Sequence, residues 1–551
     1  MTTLRARLTL CALALTFAIA TGATLFASAT ANYFYDYGTT NKTDETPEEI
    51  VLKGATEFDE TSEDASGESY ASIAPLENAI LAHDATLTLR DPQITKMGAT
   101  TNKNADELGA NAAVLAYQDA RLNIQGGEID ANDYYGHALF ASGSGQITAS
   151  KTNILTGGSH ASGLMAADDG KITATEAVIA TSGASAPAVR TATNGGMIKL
   201  EKGQYKTTGS NSPALQSASG SINAVSARLD SANSNGITVV GNGQISLDHV
   251  ALKSGDVSVS GGDDRYPELE GGIFMFQPVG TYDASGVQFS SKFSTITTKK
   301  GCAFCITNTS ANITLEHNSF VFTKANSSSN DEKPDVFMSI SAVQTRGAAS
   351  SNANGGAVRM TTRDQLILGN IEVDRSSTLK LKMESGSKFA GALNPGDNGK
   401  QVSLTLSEDS ILVLTDDSYL DILTNAKSDN SNIYANGHKL KVAGEEVAIN
   451  KTENVPHFKY NLKETGPDAE DVEKPTDKGD LSPALIIAIV ALVLAPILIG
   501  VIAFMMVQGK KNKQQQQLSL QDEARARLEA QMRAQEQSPD FGKNQYPNVH
   551  V

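Results

Sequence analysis

The chain has 551 residues, a formal net charge of −17 and 40% hydrophobic residues, with no tryptophan and three cysteines. This length is enough for several domains. The chain is acidic and has no basic cluster except Lys510, Lys511 and Lys513, which argues against nucleic acid as a partner.

The first 31 residues have the pattern of a secretory signal peptide. Arg5 and Arg7 precede an apolar core at residues 8–20, and residues 29–31 offer small side chains for cleavage. The alternative is an uncleaved anchor, which would also export the rest of the chain. We therefore expect the domain that follows to be extracellular.

Residues 32–74 are polar and acidic and contain few large apolar side chains. Such a segment buries too little surface to offset the entropy lost on ordering. We expect an acidic flexible leader, or an N-terminal cap over the unpaired strand edges of the domain that follows.

Residues 111–252 repeat with a period close to 25 residues. Stacking the repeats produces three apolar columns, which hold Val114, Leu139, Leu164, Val189, Leu215 and Ile237; Leu122, Ile147, Ile172, Ile198, Ile222 and Ile245; and Ile129, Ile154, Ile179, Tyr205, Leu229 and Leu252. A glycine precedes most residues of the second column by two positions: Gly145, Gly170, Gly196, Gly220 and Gly243. A fixed period of this length is typical of solenoid folds.

The columns predict three short strands per repeat, because they lie seven or eight residues apart and contain many β-branched residues. The recurring glycine fits a corner that needs positive φ or close approach of a neighbouring coil. One repeat buries about three large side chains, too few to order about 25 residues alone, so the repeats must stack. A leucine-rich repeat shares the period, but its L-x-x-L-x-L motif is absent. The pattern predicts a parallel β-helix.

In this pattern the chain resembles the right-handed, pectin-lyase-like β-helices, particularly bacterial surface proteins and adhesins. The resemblance covers about residues 75–450 and implies an all-β, single-stranded right-handed parallel β-helix with about 25 residues per coil. A first coil is expected through Ile80, Leu87 and Ile94, followed by a polar insertion at residues 96–111. Between Ile80 and Leu423 we expect about 11–13 coils, since such repeats add one layer each.

Many members of this family are enzymes that act on acidic polysaccharides, so the resemblance makes catalysis an alternative. Hydrolases of this kind need converging carboxylates. Asp168-Asp169 and Gly136-His137-Ala138 partly match the polygalacturonase motifs, but their order is reversed and no Arg-x-Lys follows. Turn chemistry accounts for Asp168-Asp169-Gly170. We therefore predict no catalytic, cofactor-binding or metal-binding residues, and expect His137, His160 and His249 at the surface or at corners.

Tyrosines in polar loops are the better candidates for ligand binding, because their rings can lie flat against a sugar or partner. These are Tyr134, Tyr135, Tyr266 and Tyr282. For Phe274 and Phe276, packing in the core is favoured over binding.

Two cysteines, Cys302 and Cys305, remain after removal of the signal peptide. Residues three apart on a straight strand point to opposite faces, so a disulfide requires a local turn. An exported location permits one. Buried thiols and a disulfide both stay open, and both are favoured over redox chemistry.

The C-terminal region predicts a membrane anchor. Residues 451–482 read as an acidic linker, residues 483–508 as one transmembrane helix, and residues 509–551 as a cytoplasmic tail, because lysines directly follow the apolar span. Leu462-Lys463-Glu464-Thr465-Gly466 resembles a sortase signal but lacks proline at its second position, so a retained anchor is favoured.

These observations lead to a functional hypothesis. The chain is expected to be a single-pass cell-surface protein whose β-helix binds a polysaccharide, an extracellular-matrix component or a cell-envelope component without catalysis. The alternatives are a membrane-tethered polysaccharide lyase or glycoside hydrolase, and a structural envelope stalk. Fold alone does not decide between them.

Overall fold

The computed structural model describes residues 50–256, 271–277, 286–323, 335–342, 355–451 and 454–467. These residues form 43 short strands and one short helix. The first coils comprise β1 (Gly54–Asp59), β2 (Ser62–Ser66), β3 (Ser69–Ser72), β4 (Asn78–His83), β5 (Thr86–Arg90), β6 (Gln93–Lys96), helix α1 (Asn104–Leu108), β7 (Val114–Tyr117), β8 (Arg121–Gln125), β9 (Glu128–Ala131), β10 (Leu139–Ser142), β11 (Gln146–Ser150), β12 (Asn153–Thr156), β13 (Leu164–Ala166), β14 (Lys171–Thr175) and β15 (Val178–Thr181).

The central coils comprise β16 (Val189–Thr191), β17 (Met197–Glu201), β18 (Gln204–Thr207), β19 (Leu215–Ser217), β20 (Ser221–Val225), β21 (Arg228–Ser231), β22 (Ile237–Val240), β23 (Gln244–Asp248), β24 (Ala251–Lys253), β25 (Gly271–Phe276), β26 (Val287–Lys292), β27 (Thr295–Thr298), β28 (Cys302–Thr307), β29 (Ser310–Glu316) and β30 (Ser319–Phe322). The last coils comprise β31 (Val336–Ile340), β32 (Ala357–Arg363), β33 (Leu366–Leu368), β34 (Asn370–Val373), β35 (Thr378–Glu384), β36 (Lys388–Ala390), β37 (Gln401–Leu406), β38 (Ile411–Val413), β39 (Ser418–Leu420), β40 (Ile422–Asn425), β41 (Ile433–Tyr434), β42 (Leu440–Val442) and β43 (Glu445–Glu446).

The strands stack into three long parallel sheets. Sheet A has twelve strands in the order β1-β4-β7-β10-β13-β16-β19-β22-β25-β28-β31-β34. Sheet B has fourteen, β2-β5-β8-β11-β14-β17-β20-β23-β26-β29-β32-β35-β37-β40, and sheet C has ten, β3-β6-β9-β12-β15-β18-β21-β24-β27-β30. Each strand pairs with the strand one coil away, so the prediction of an all-β, parallel β-helix-like solenoid is confirmed.

The three predicted columns form the core between the sheets. Leu139 lies opposite Val114 and Leu164 in sheet A, and Ile147 lies opposite Leu122 and Ile172 in sheet B. The third column follows sheet C, where Tyr205 takes the place of isoleucine opposite Ile179. All the column residues are buried in one hydrophobic cluster, so each coil completes the core of its neighbours.

The recurring glycine is required by close approach between coils. A Cβ atom added to Gly170 would lie 2.2 Å from the carbonyl oxygen of Ala141, and one added to Gly145 would lie 2.3 Å from that of Ala116. Of the five repeated glycines, only Gly196 has positive φ, at +105°. The corner glycines therefore mainly make room for the backbone of the preceding coil.

Positive φ occurs instead at non-glycine residues of the corners between sheets B and C. Lys151, Glu176, Lys202, Ser226 and His249 occupy equivalent corners with φ between 51° and 60°. The N–H of Glu176 donates to the carbonyl of Glu201 at 2.9 Å, and that of Lys202 to Val225 at 2.8 Å. These bonds to the next coil offset the cost of the left-handed conformation.

The solenoid begins within the segment assigned to an N-terminal leader or cap. β1, β2 and β3 pair in register with β4, β5 and β6. Phe58 and Tyr70 already contribute to the core, but Glu63 stands opposite Leu87 and is exposed. A first coil with a charged residue in a core column suits the end of a stack.

From β5 to β40, sheet B has thirteen strands, one for each coil. This is the upper end of the roughly 11–13 coils expected between Ile80 and Leu423. Two small sheets complete the C-terminal coils, in the orders β33-β36-β38-β41 and β39-β42-β43. β43 pairs with β42 in antiparallel fashion. This pairing ends the series of parallel coils.

Residues 97–113 connect β6 to β7 and contain α1. The buried Lys96 fixes the start of this connection, because its Nζ donates to the carbonyls of Ala74 at 2.8 Å and Met97 at 2.7 Å. Burial lowers the pKa of Lys96 to about 8.

Residues 454–467, named the strap below, pack along the corners that directly follow the strands of sheet B. Within the strap the chain contacts the coil of Leu366 first and that of Phe293 last: Tyr460 Oη donates to the carbonyl of Leu366 at 3.3 Å, and the N–H of Gly466 donates to the carbonyl of Phe293 at 2.7 Å. The strap thus runs back against the order of the coils. It occupies part of the predicted linker at residues 451–482.

Several predictions fall outside the described residues: the signal peptide, the rest of the linker, the cytoplasmic tail, Tyr266 and Tyr282. The predicted membrane span at residues 483–508 does so too. In the part of the chain that the structure describes, no helix combines the length and apolar character needed to cross a bilayer.

Candidate binding site at the outer face of sheet A

Sheet A buries side chains on its outer face as well as on its core face. The row Leu81, Leu115, Phe140, Met165 and Arg190 follows the strand register but points away from the core columns. The four apolar members form a hydrophobic cluster of their own, named the outer strip below.

The connection between β6 and β7 covers the outer strip. Gly109 lies so close to Phe140 that an added Cβ would be 2.7 Å from the ring. Ala112 belongs to the same cluster. The insertion therefore stabilises the solenoid by removing apolar surface from water on a second side of the sheet.

Asp106 of α1 connects the insertion to two distant coils. Its carboxylate accepts hydrogen bonds from Arg190 Nη1 at 2.9 Å and from His137 Nε2 at 3.0 Å. The side chains of His137 and Arg190 are 0% and 7% exposed, so solvent screens their interactions with Asp106 little. Although burial acts in the opposite direction, Arg190 and His137 hold the pKa of Asp106 well below its usual value.

The hydrogen bonds of His137 define its tautomer. Nδ1 accepts the backbone N–H of Ser162 at 3.1 Å, so the proton resides on Nε2 and is donated to Asp106. His137 lies in the corner between β9 and β10, one of the two places expected for it, but it is fully buried there and not at the surface. Its neighbour Phe140 contacts the imidazole at 5.5 Å between ring centroids, so His137 belongs to the packed cover of sheet A.

Glu107 adds a second attachment of α1. It accepts the N–H of Thr193 at 3.1 Å and also binds the hydroxyl of that residue, and it lies 3.7 Å from Arg190 Nη2. His137 and Arg190 thus both bind Asp106 within the fold. This arrangement suits anchoring of the insertion better than proton transfer to a substrate, which requires a group within reach of the reacting atom.

A cavity of about 240 Å³ opens at the N-terminal end of the outer strip. Its lining combines apolar, aromatic and acidic side chains: Leu52, Glu57, Phe58, Asp59, Leu81, His83 and Tyr117. Leu52 and Tyr117 also pack against the outer strip, so the cavity continues the surface that the insertion covers elsewhere.

His83 organises the polar wall of this cavity. Its Nδ1 lies 2.6 Å from Asp59 Oδ1 and its Nε2 lies 2.8 Å from Gln118 Oε1, so both nitrogens face acceptors. The hydrogen bond to Asp59 is the main reason that the pKa of His83 is raised. The imidazole stacks on the Tyr117 ring at 5.8 Å. Carboxylates beside an aromatic ring suit a polyol ligand. Its hydroxyl groups donate hydrogen bonds to the carboxylates, and its C–H groups pack against the ring.

The structure places Tyr134 and Tyr135 at the corner between sheets C and A. Tyr135 is 7% exposed and has φ of 56°, whereas Tyr134 is 39% exposed. Both rings contact His160 of the next coil, at 5.8 Å for Tyr134 and 5.2 Å for Tyr135. Tyr134 is therefore the member of the pair that a ligand can reach.

Cys302 and Cys305 are joined by a disulfide. They are buried on the outer side of sheet A together with Phe274 and Phe276, whose rings stack at 4.7 Å. Phe274 and Phe276 are therefore packed inside the protein, as the sequence predicts, but in a cluster separate from the central core.

The aspartates of the Asp168-Asp169-Gly170 segment lie at a corner. Asp168 has φ of 52° and accepts hydrogen bonds from Asn194 Nδ2 at 2.7 Å and Ser142 Oγ at 3.1 Å. These bonds between neighbouring coils agree with a turn.

Among the described residues, Asp416, Asp417 and His438 bring one ligand atom each within 4.8 Å of one another. Asp417 Oδ1 already accepts the N–H of Lys439 at 2.8 Å, and Asp416 Oδ1 accepts that of Asp417 at 2.8 Å. The group behaves as an exposed corner network, and we assign no metal to it.

Comparison of the chain with protein-family models, with curated proteins and with solved structures found no match in any of the three.

The sequence pattern does not indicate that Asp106, Arg190, His83 and Tyr117 belong to one outer surface. The insertion was recognised, but its contacts with Arg190 and Thr193 span 84 and 86 residues. The available signal was Arg190 itself, a charged residue between Met165 and Gln216 in the outward row of the repeat.

Proposed function

We propose that the chain is a membrane-anchored cell-surface protein whose β-helix, of the right-handed, pectin-lyase-like kind, binds a carbohydrate of the matrix or cell envelope without catalysis. The observation that carries this proposal is the cavity lined by Tyr117, His83 and Asp59 beside the outer strip. It combines an aromatic ring with carboxylate acceptors on a scaffold of paired strands.

The geometry of the Asp106 cluster supports binding over chemistry. The imidazole of His137 and the guanidinium of Arg190 both bind the carboxylate of Asp106, which the insertion carries, and both lie beneath the insertion. In the cavity, by contrast, Asp59 has a side chain 70% exposed, so its carboxylate can accept hydrogen bonds from hydroxyl groups.

The membrane anchor and the extracellular location rest on the sequence pattern of residues 1–31 and 483–508. They define the class of ligand to test, namely the polysaccharides and matrix glycans that an exported protein encounters.

A glycan array probed with the full chain, assayed in parallel for released products, tests this function. We expect retention of a subset of glycans without product release, and at least tenfold weaker retention for Tyr117→Ala, because that ring lines the cavity. Tyr419→Ala is the matched control, since Tyr419 lies on a distant C-terminal strand.

Product release at low protein concentration would instead establish the lyase or hydrolase alternative. Equal retention by the Tyr117→Ala and Tyr419→Ala variants would exclude this cavity as the binding site. The absence of any glycan retention would favour a structural stalk.

A further inference from the structure

The strap is attached to the solenoid at two places with different chemistry. At the first, the Tyr460 hydroxyl donates to the carbonyl of Leu366 and accepts the N–H of Leu368, both at 3.3 Å. Burial raises the pKa of this hydroxyl, so it stays protonated and bound throughout the neutral range.

The second attachment lies two coils away and involves residues 464–466. Thr465 Oγ1 lies 2.7 Å from Thr295 Oγ1 and donates to Ser319 Oγ at 3.1 Å. The N–H of Gly466 donates to the carbonyl of Phe293 at 2.7 Å. These contacts are few and lie near the surface, so a change at one neighbouring group can shift their equilibrium.

His317 is that neighbouring group. Its Nδ1 lies 2.8 Å from Asp364 Oδ2 on the following coil, and its Nε2 lies 3.2 Å from Glu464 Oε2 on the strap. A ring nitrogen that faces a carboxylate needs a proton, so only the imidazolium form satisfies both partners. The ring also packs on Phe293 at 5.5 Å between centroids, the residue whose carbonyl binds Gly466.

The surroundings of His317 let protons exchange. A cavity of about 350 Å³ separates the strap from the corner, and Lys388, His457 and Lys459 line it together with Asp364 and Glu464. Of these groups, Asp364 and Glu464 bond His317 directly, while Lys388 lies over the Phe458 ring at 5.8 Å.

We propose that residues 461–467 form a proton-dependent latch: they dock on the solenoid while His317 is protonated and detach when it becomes neutral, with Tyr460 holding the rest of the strap. On opening, the last bound residue of the strap changes from Gly466, at the corner of Phe293, to Tyr460, at the coil of Leu366. The last docked contact shifts by two strand layers, about 10 Å.

The direction of the pH dependence follows from the hydrogen bonds. The bond to Asp364, then that to Glu464, raises the pKa of His317. Asp364 stays beside His317 when the latch opens, so only the contribution of Glu464 distinguishes the docked from the open state. That contribution raises the pKa of His317 in the docked state, so docking is favoured while His317 is protonated, and the advantage disappears as the pH rises through the raised pKa.

Amide hydrogen exchange of Gly466 in the full chain, from about pH 5.5 to 8.5 and corrected for intrinsic exchange, tests the latch across the histidine range, because this N–H donates to the solenoid. We expect protection to fall about two- to fivefold with rising pH, the size that a partly exposed ion pair supports. His317→Gln should show weak protection at every pH.

Glu464→Gln is a second variant that leaves the solenoid unchanged, because Glu464 lies on the strap with its side chain 56% exposed. It should flatten the pH profile while the residues around Tyr460 stay protected. The control is His83→Gln, which removes an equivalent histidine–aspartate pair from the first coils and should leave the profile of Gly466 unchanged. A corrected profile that is flat in the unmodified chain, or is unaltered in the His317→Gln and Glu464→Gln variants, would overturn the proposal.

Discussion

Asp106 and Arg190 show how single residues hold a long insertion onto a repeating fold. Removing one partner leaves the other charge buried without its counter-ion, which is more costly than removing both. After loss of the Asp106 carboxylate, His137 Nε2 still has the main-chain carbonyl of that residue at 3.2 Å. The pair therefore lends itself to a double-mutant comparison.

We predict that Arg190→Leu lowers the free energy of unfolding by about 3–5 kcal/mol, whereas Asp106→Leu/Arg190→Leu recovers a large part of the loss. Urea unfolding followed by circular dichroism measures both. Arg363→Leu, which breaks an exposed pair with Glu384, is the control and should change stability by about 0–1 kcal/mol.

Acid should affect the same pair. Because the pKa of Asp106 is lowered in the folded chain, its contribution is complete above the unfolded value of about 3.9 and is lost as the pH falls toward the folded value. The unmodified chain should therefore lose more stability below about pH 4 than the double variant. Equal losses would show that Asp106 does not hold its charge as described.

The insertion is the element that the sequence predicts least completely. Its existence follows from a corner that is too long, at residues 96–111, but its position does not. The outward row Leu81, Leu115 and Phe140 reads as ordinary strand alternation until something is seen to cover it. The cavity beside it also depends on Leu52, which lies ahead of β1, so the site could not be assembled from the repeat pattern.

Replacing residues 98–110 by a short glycine–serine turn should leave the coils folded but expose the outer strip. Four large side chains account for about 6–12 kcal/mol of gross burial, so a lower thermal midpoint and binding of a hydrophobic dye are expected. Adding Leu115→Ser and Phe140→Ser to the shortened chain should abolish the dye binding. A shortened chain that binds no dye would contradict the assigned role of the insertion.

The molecule as a whole follows from its period. Three apolar columns, separated by seven or eight residues, were sufficient to predict the sheets and their register, because identical coils leave one way to align identical side chains. The sequence did not reveal that glycines at the corners serve close approach while residues such as Glu176 take positive φ. It also did not reveal the strap, whose contacts with Thr295 span 170 residues.

The most direct test of the stacked coils is cross-linking of paired cysteines on the exposed side of sheet B. Thr148 and Thr173 are register partners, and parallel neighbours lie about 4.8 Å apart, within the range that a disulfide spans. We predict that Thr148→Cys/Thr173→Cys closes a disulfide under mild oxidation. Thr148→Cys/Thr175→Cys, offset by two residues to about 8 Å, should stay reduced. Efficient closure of the offset pair, or failure of the in-register pair, would contradict the parallel, in-register stacking of coils.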